Sequence, residues 1–467
     1  MTDVPSMTPD AGRAMARTGE DGAESGHRGG ITLRRSLGTF GLVFVMFFTT
    51  SGGPYATEGL VASVGPGMAL FLLALVPVVW VVPEALLIGE LASMLPEEGG
   101  YYRWVQRAFG GFWAFQNGWL TWLYSLVDMA IYPVLFAQYL GYFTGPLPAP
   151  VPWLVSLAMI WGATAVNLRG AKPVGWASIA AGLFVLGGFA GVVLASVPHM
   201  THVPWHPFVK PGQPILPTLG LGLSIAVWNY IGWDNASTVG GEIIDSGRTY
   251  PRALTIAVPL VTAGYLIPVA GALAATDWTT WREGHWPELV RAAAPGWGDV
   301  LAPWIAIGGV VSALALFNAL LLAYSRIPAV MAVDGLLPAA LAETDERGTP
   351  RRAVLVAAAI YSVFALIPFG GLVVADVVLY ALALGLEFGA LVALRRREPE
   401  LRGSFRLPVG ATGVTVLAVI PMLMLAGVVG LSLVGGEYGP WAIGVTAAGV
   451  ATGPLVYRWL ARRGAAH

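Results

Sequence analysis

TTSGGPYATEGL, residues 49–60, interrupts an otherwise apolar stretch of the chain. GTFGLVFVMFF (38–48) runs into it and GPGMALFLLALVPVVWVV (65–82) follows, each apolar enough for a membrane helix. Lipid offers no partners to free backbone N–H and C=O groups, so a helix broken by paired glycines and a proline survives only inside protein or beside a wet cavity. The hydroxyls of this stretch and the carboxylate of Glu58 fit such a lining. The stretch therefore reads as a functional site within a membrane-spanning segment.

Composition agrees with that setting. Of 467 residues, 56% are hydrophobic and 11% charged, and the mean hydropathy is +0.68. Soluble domains carry about a quarter charged residues, so this is the balance of a polytopic membrane protein. The net charge of -1 gives no basic surface for nucleic acid, and the absence of cysteine removes disulfides, thiolate metal sites and cysteine catalysis. Residues 1–33 are polar and small with no apolar stretch, which predicts a disordered cytoplasmic tail and not a signal peptide.

Apolar runs of the required ~20 residues fall near 36–60, 67–93, 111–140, 151–168, 174–197, 216–243, 252–275, 300–332, 352–369, 372–394, 411–434 and 438–460. With the first span running outward, all but Lys210, Arg282 and Arg291 of the 26 basic residues fall on the inner side. The positive-inside rule then places both termini in the cytoplasm and supports about twelve spans.

The sixth span breaks in the same manner as the first. WNYIGWDNASTVGGE (228–242) follows the apolar LGLGLSIAV (219–227). Interrupted helices in equivalent positions of two halves mark transporters built from inverted repeats, with the substrate near the midplane. This predicts an all-α membrane protein with a 5+5 inverted repeat: a first repeat over 34–200, a second over 201–397, and two further helices with a cytoplasmic tail in 398–467.

Carboxylates recur inside the spans. Glu58, Glu84, Asp128, Asp234 and Glu387 lie well within them, Glu90, Glu242 and Asp376 nearer their ends, and no Lys or Arg lies deep in any span. A buried carboxylate protonates, pairs with a cation or faces water. The pattern points to protons or organic cations as cargo. Glu90, Glu242 and Asp376 read as structural. Asp128 has Tyr124 and Tyr132 one turn to either side, on its own helical face. A carboxylate between aromatic faces suits an ammonium group, and Trp228 and Trp233 flank the second break as further walls. The histidines of PHMTHVPWHPF (198–208) have ligand-like spacing, but the prolines among them argue against a helix, and no metal is expected. No phosphate-binding, nucleophile-elbow or zinc-helix motif is present.

Several phrases carry a family resemblance: SGGPYATE (51–58), WVVPEALLIGELASMLPEEGGY (80–101), VDMAIYPVLF (127–136), NLRGAKPVGWASIAAG (167–182), WNYIGWDNASTVGGEIIDSGRTYPRAL (228–254), SRIPAVMAVDGLLPAAL (325–341) with GTP (348–350), and LRRREPELRGSFRLP (394–408). The chain resembles the amino acid–polyamine–organocation superfamily of secondary transporters over nearly its full length past the tail. It looks most like the polyamine uptake transporters of plants and protozoa. The resemblance implies the LeuT-like fold, alternating access, Ser51, Gly52 and Gly53 lining the first break, and Trp228, Ile231, Gly232 and Asp234 in the sixth-span gate; Tyr230 and Trp233 are further substrate-binding candidates. Amino-acid symporters of the superfamily often place a sodium-mimicking lysine in the fifth span. Here Gly182 or a neighbour stands there, leaving a more acidic site that suits a cation.

The expectation is a proton-coupled importer of polyamines or other organic cations in the plasma membrane, with Glu58 or Asp234 carrying the proton and no cofactor. Its partners are a small-molecule substrate, a coupling ion and the lipid bilayer. An amino acid:proton symporter or exchanger, with the Gly52–Gly53 amides holding an α-carboxylate, is the first alternative. A non-transporting membrane sensor or scaffold is the alternative of another class. An enzyme is not expected, for want of a nucleophile–base pair.

Overall fold

The structure is a computed structural model that describes residues 35–145, 147–365, 373–435 and 440–464; the expected tail lies outside them. The described residues are helical throughout, joined by loops and two isolated backbone bridges. The first span is α1 (Thr39–Thr50) and α2 (Thr57–Val64), and the second is α3 (Pro66–Val76) joined through a π-helical turn at Pro77–Val81 to α4 (Val82–Met94). A short α5 (Gly100–Phe109) leads to α6 (Gly111–Thr144), α7 (Val151–Asn167) and α8 (Ala171–Ser196).

The second half follows the same plan. The apolar helix α9 (Ile215–Trp228) gives way to a break and 3-10 turns at Asn235–Thr238 and Gly240–Glu242, before α10 (Ser246–Ala275). After α10 comes a short α11 (Trp286–Ala293), then α12 (Gly298–Tyr324), which runs into α13 (Arg326–Val333). α14 (Arg351–Phe364) and α15 (Val373–Arg397) complete it, with α16 (Ala411–Gly435) and α17 (Pro440–Gly464) appended. Seven of these segments are long and apolar enough to cross a membrane unaided, and the shorter apolar α1, α7 and α9 join them. Among the described residues each expected span falls on a helix or a broken helix; 366–369 of the ninth, 372 of the tenth and 438–439 of the twelfth lie outside them.

Packing matches the halves to one another. α2 packs on α9, α6 on α12, and α4 on α10, while α1 fits against α8, α10 and the 3-10 turn at 235–238. Gly182 of α8 explains part of this closeness: a Cβ there would collide with the ring of Phe44 on α1. At Gly182, one of the places where the resemblance would put a lysine, the space is filled by helix–helix contact. In the breaks, Gly52 (φ +68°), Gly53 (φ +99°) and Gly232 (φ +105°) adopt left-handed backbone that L side chains avoid. A Cβ on Gly232 would overlap the carbonyl of Thr49, so the two breaks meet backbone to backbone.

Two basic residues do lie buried, at helix ends, and they correct the expectation that the acids lack basic partners. Arg395 of α15 forks onto Glu90 of α4 with two contacts of 2.6 Å, donates to the carbonyls of Leu407 and Val409, and so pins the 398–410 loop. Arg326 is fully buried and donates to Glu242 at 2.6 and 2.8 Å, with Glu98 3.8 Å away. Both acids are structural, as expected.

Removing one partner of such a pair strands a buried charge, at a cost of about 3–5 kcal/mol. Arg395→Met should therefore lower the melting temperature of the detergent-purified protein sharply, and adding Glu90→Gln should restore part of the loss. The break makes its own demand. Gly232→Ala meets strain of about 1–3 kcal/mol as well as the Thr49 carbonyl, so it should melt well below wild type. Gly430→Ala, where a Cβ meets open space, should not.

Candidate functional site

The two breaks, α6 and α12 enclose a central cavity of about 30 Å³. Thr49, Thr50 and Ser51 line it from the first break, Trp228, Asn229, Ile231, Gly232 and Asn235 from the second, and Tyr124, Asp128 and Tyr132 from α6. Tyr265 of α10, Ser312 and Leu316 of α12 and Tyr380 of α15 close it. It has room for water and not for an organic cation, so loading requires the walls to move apart. No Lys or Arg lines it.

The broken backbone is satisfied by side chains reaching in from other helices. The Tyr265 hydroxyl donates to the Asn229 carbonyl at 2.7 Å, and Tyr250 donates to the Trp233 carbonyl at 2.8 Å. Ser312 donates to the Gly52 carbonyl at 2.5 Å, and the Trp286 indole donates to Pro54 at 2.9 Å. The Gly232 N–H donates to the Tyr380 hydroxyl at 3.0 Å.

The sequence-derived candidates divide between wall and support. Ser51, Tyr124, Asp128, Trp228 and Gly232 line the cavity. Gly52 and Gly53 shape the break behind it: the Gly52 amide bonds Phe47 at 3.1 Å, and the Gly53 amide bonds the Ser51 hydroxyl at 3.1 Å. Tyr230 and Trp233 are fully buried away from the lining, and Tyr230 donates to the Leu73 carbonyl at 2.9 Å. Asp128 accepts from Tyr324 of α12 at 3.0 Å, and Tyr124 donates to Asn235 at 3.2 Å. Tyr124 stands edge-on to Tyr324 and Tyr380, at centroid separations of 5.8 and 5.4 Å. Tyr324 of α12 and Tyr380 of α15 thus join the α6 tyrosines around Asp128, which isolated tyrosines in apolar runs did not announce.

Asp234 sits just outside the lining in a cluster with Glu84, Tyr380 and Glu387. The Tyr380 oxygen lies 2.6 Å from Glu84 Oε1 and 2.7 Å from Asp234 Oδ1. The phenol carries one proton and so donates in only one of these contacts, while the same oxygen also accepts from the Gly232 amide. The other short contact needs a second proton, held by one of the two carboxyls. Glu387 takes a 3.3 Å hydrogen bond from Asn117, and its second oxygen has no hydrogen-bond partner. The cluster can hold a proton and is hydrogen-bonded to the second break through the Gly232 amide.

Glu58 lies elsewhere, at the end of the bundle opposite the buried arginines. Its Oε1 accepts from Tyr139 of α6 at 3.1 Å and from the Gly284 amide at 2.8 Å, which ties α2 to the loop before α11. At the basic end the chain is closed by Gly99 N–H on Thr238 at 2.9 Å, Gly241 N–H on Glu98 at 3.0 Å and an Arg103–Asp334 pair at 2.9 Å. Contacts between the two halves therefore tie the bundle together at both of its ends. Asp376, expected to be structural, is fully buried with neither oxygen hydrogen-bonded, and interacts with Asp128 and the Trp228 indole. Among the described residues no cluster of His, Asp or Glu has metal-ligand geometry.

Comparison with known proteins covers the same span. Residues 37–447 match the amino acid permease family. A polyamine transporter of Oryza sativa subsp. japonica is 32% identical over 434 residues, 91% of this chain and 80% of the relative. A polyamine transporter of Arabidopsis thaliana is 33% identical over 392 residues, 83% and 79% of the two chains. A probable polyamine transporter of the same plant is 36% identical over 391 residues, covering 82% and 80%.

Proposed function

We propose that this chain, which belongs to the amino acid permease family and is a multi-pass membrane transporter and not an enzyme, imports polyamines or related organic cations by proton-coupled alternating access. The observation that carries the reading is the central cavity itself. It lies where both breaks meet, presents the carboxylate of Asp128 among tyrosine faces, and has no basic residue in its lining. Such a wall attracts an ammonium by charge and by cation–π contact and repels nothing about it. The relatives named as polyamine transporters support the same substrate class. We place the protein in the plasma membrane with both termini in the cytoplasm, following its inner-side bias of basic residues.

The amino-acid alternative is less well served. Its carboxylate would need free amides at the first break, yet the N–H groups of Ser51, Gly52 and Gly53 are all engaged within it.

For the coupling proton we assign the Glu84–Tyr380–Asp234 cluster. It combines a required second proton with a direct hydrogen bond to the gate at Gly232. A change in its protonation rearranges the acceptor of that amide, which links proton binding to the second break. Glu58, the other candidate, is tied to the opposite closure and reads as part of that gate.

Two measurements test the reading. Asp128→Asn keeps the shape and removes the charge. A charge-assisted contact is worth about 1.5–3 kcal/mol, so binding of putrescine or spermidine should weaken about tenfold or more while the melting temperature holds. Normal polyamine binding by a well-folded Asp128→Asn protein would remove the cationic site, and uptake of amino acids alone across a mixed panel would favour the rival substrate. No uptake of any kind would favour a sensor. In proteoliposomes, Asp234→Asn and Glu84→Gln should lose uptake driven by a pH gradient and retain counterflow, whereas Glu58→Gln should keep gradient-driven uptake. Gradient-driven uptake surviving in both cluster variants would refute the assignment.

A further inference from the structure

The basic end of the bundle holds a second cavity, of about 450 Å³, bounded by Arg35, Arg169, Lys172 and Arg347. Three segments distant in sequence bring these residues together. Arg35 precedes α1, and the backbone there is pinned by Ser36 and Leu37 amides on the Glu242 carbonyl, at 2.8 and 3.0 Å. Arg169 and Lys172 flank the turn from α7 into α8. Arg347 lies in the loop that ends at Thr349, whose hydroxyl a Cβ on Gly170 would meet at 3.4 Å. The cavity is within the ~300–1,000 Å³ range of small-ligand sites.

The charges around it are unbalanced. All four basic side chains are exposed, and among the described residues none takes part in an ion pair or a side-chain hydrogen bond. The single acid of the lining, Glu242, is already held by Arg326. The start of α8 adds to the imbalance. Its first turn carries no side-chain cap, and Lys172 stands there against the positive end of a 26-residue helix. Four free cations and a helix N-terminus converging on one cavity call for an anion with several acceptor oxygens.

The rim says where that anion comes from. Trp176, one turn along α8 from Lys172 and on the same face, is 64% exposed, and Ile244 in the lining is 50% exposed. A tryptophan at the foot of a membrane helix marks the headgroup level, with acyl chains beyond it. We propose that this cavity binds the phosphate of an anionic phospholipid from the leaflet at the basic end, its chains lying along Trp176 and Ile244. The site touches Ile244 and the segment that follows the second break, so an occupied site braces the part of the chain that closes the basic end.

The test uses the full-length protein in mixed micelles of phosphatidylglycerol and phosphatidylcholine, with the co-purifying lipid quantified by mass spectrometry. Wild type should retain phosphatidylglycerol preferentially. Each basic residue near a membrane surface contributes about fivefold to anionic-lipid binding, so Arg169→Gln, Lys172→Gln and Arg347→Gln combined should reduce that preference about a hundredfold. The matched variant Arg396→Gln, Arg402→Gln, Arg406→Gln, altered at exposed positions outside the cavity, should keep it. Unchanged thermal melting of both variants verifies that they fold. Equal lipid retention by the two variants would overturn the site. Full displacement of phosphatidylglycerol by millimolar inorganic phosphate would overturn the lipid as its occupant.

Discussion

Everything in this structure depends on how the backbone groups of two broken helices are satisfied inside a membrane protein. Each interruption frees carbonyls and amides that lipid cannot solvate, and each unsatisfied group costs several kcal/mol. The chain answers with long hydroxyl- and indole-bearing side chains from α10, α11, α12 and α15. Tyr265 reaches Asn229, Tyr250 reaches Trp233, Tyr380 receives Gly232, Ser312 reaches Gly52 and Trp286 reaches Pro54. These bonds fix where four other helices stand. Tyr265, Ser312 and Tyr380 are also part of the cavity wall, so in the proposed reading groups that make the breaks tolerable are among those a substrate meets.

The fold was legible because its signals are local. Gly52, Gly53, Pro54 and Gly232 announce breaks by residue type alone, and hydropathy fixes the spans around them. Asp128 with Tyr124 and Tyr132 was legible for the same reason, since helical spacing places neighbours on a face without knowledge of the rest. What escaped was everything that depends on which helices meet. Tyr324 and Tyr380 lie nearly 200 and over 250 residues from the α6 wall they complete, and nothing in ALLLAYS or VVLYALA distinguishes them from packing tyrosines. Arg395 finds Glu90 across the bundle, so a reading along single spans left Glu90 without its partner. Trp233 shows the converse error: adjacency to a break does not decide which way a side chain faces, and it lies behind the wall that Trp228 lines.

The buried acids sort by their partners. Glu90 and Glu242 are paired with arginines at helix ends, and the Arg–Glu forks lock α4 to α15 and the second break to α13. Glu58, Glu84, Asp128, Asp234, Asp376 and Glu387 are buried, and among the described residues none is paired with a Lys, Arg or His. Those six trace a path from the closure at Gly284, past the central cavity, to the cluster behind the second break.

That separation constrains what the interior can hold. An isolated charge in a protein interior costs several kcal/mol even after relaxation, while a whole fold is stable by only about 5–15 kcal/mol. Six ionised and unpaired carboxylates would exceed that margin, so positive charge has to accompany them, either as bound protons or as a cation. The short double contact at Tyr380 shows one such proton already demanded by geometry. In the proposed transport cycle an incoming ammonium at Asp128 supplies part of the charge that protons otherwise supply. Proton and cargo then compete for one electrostatic vacancy, and coupling between them follows from the interior's shortage of positive charge without a dedicated linkage element.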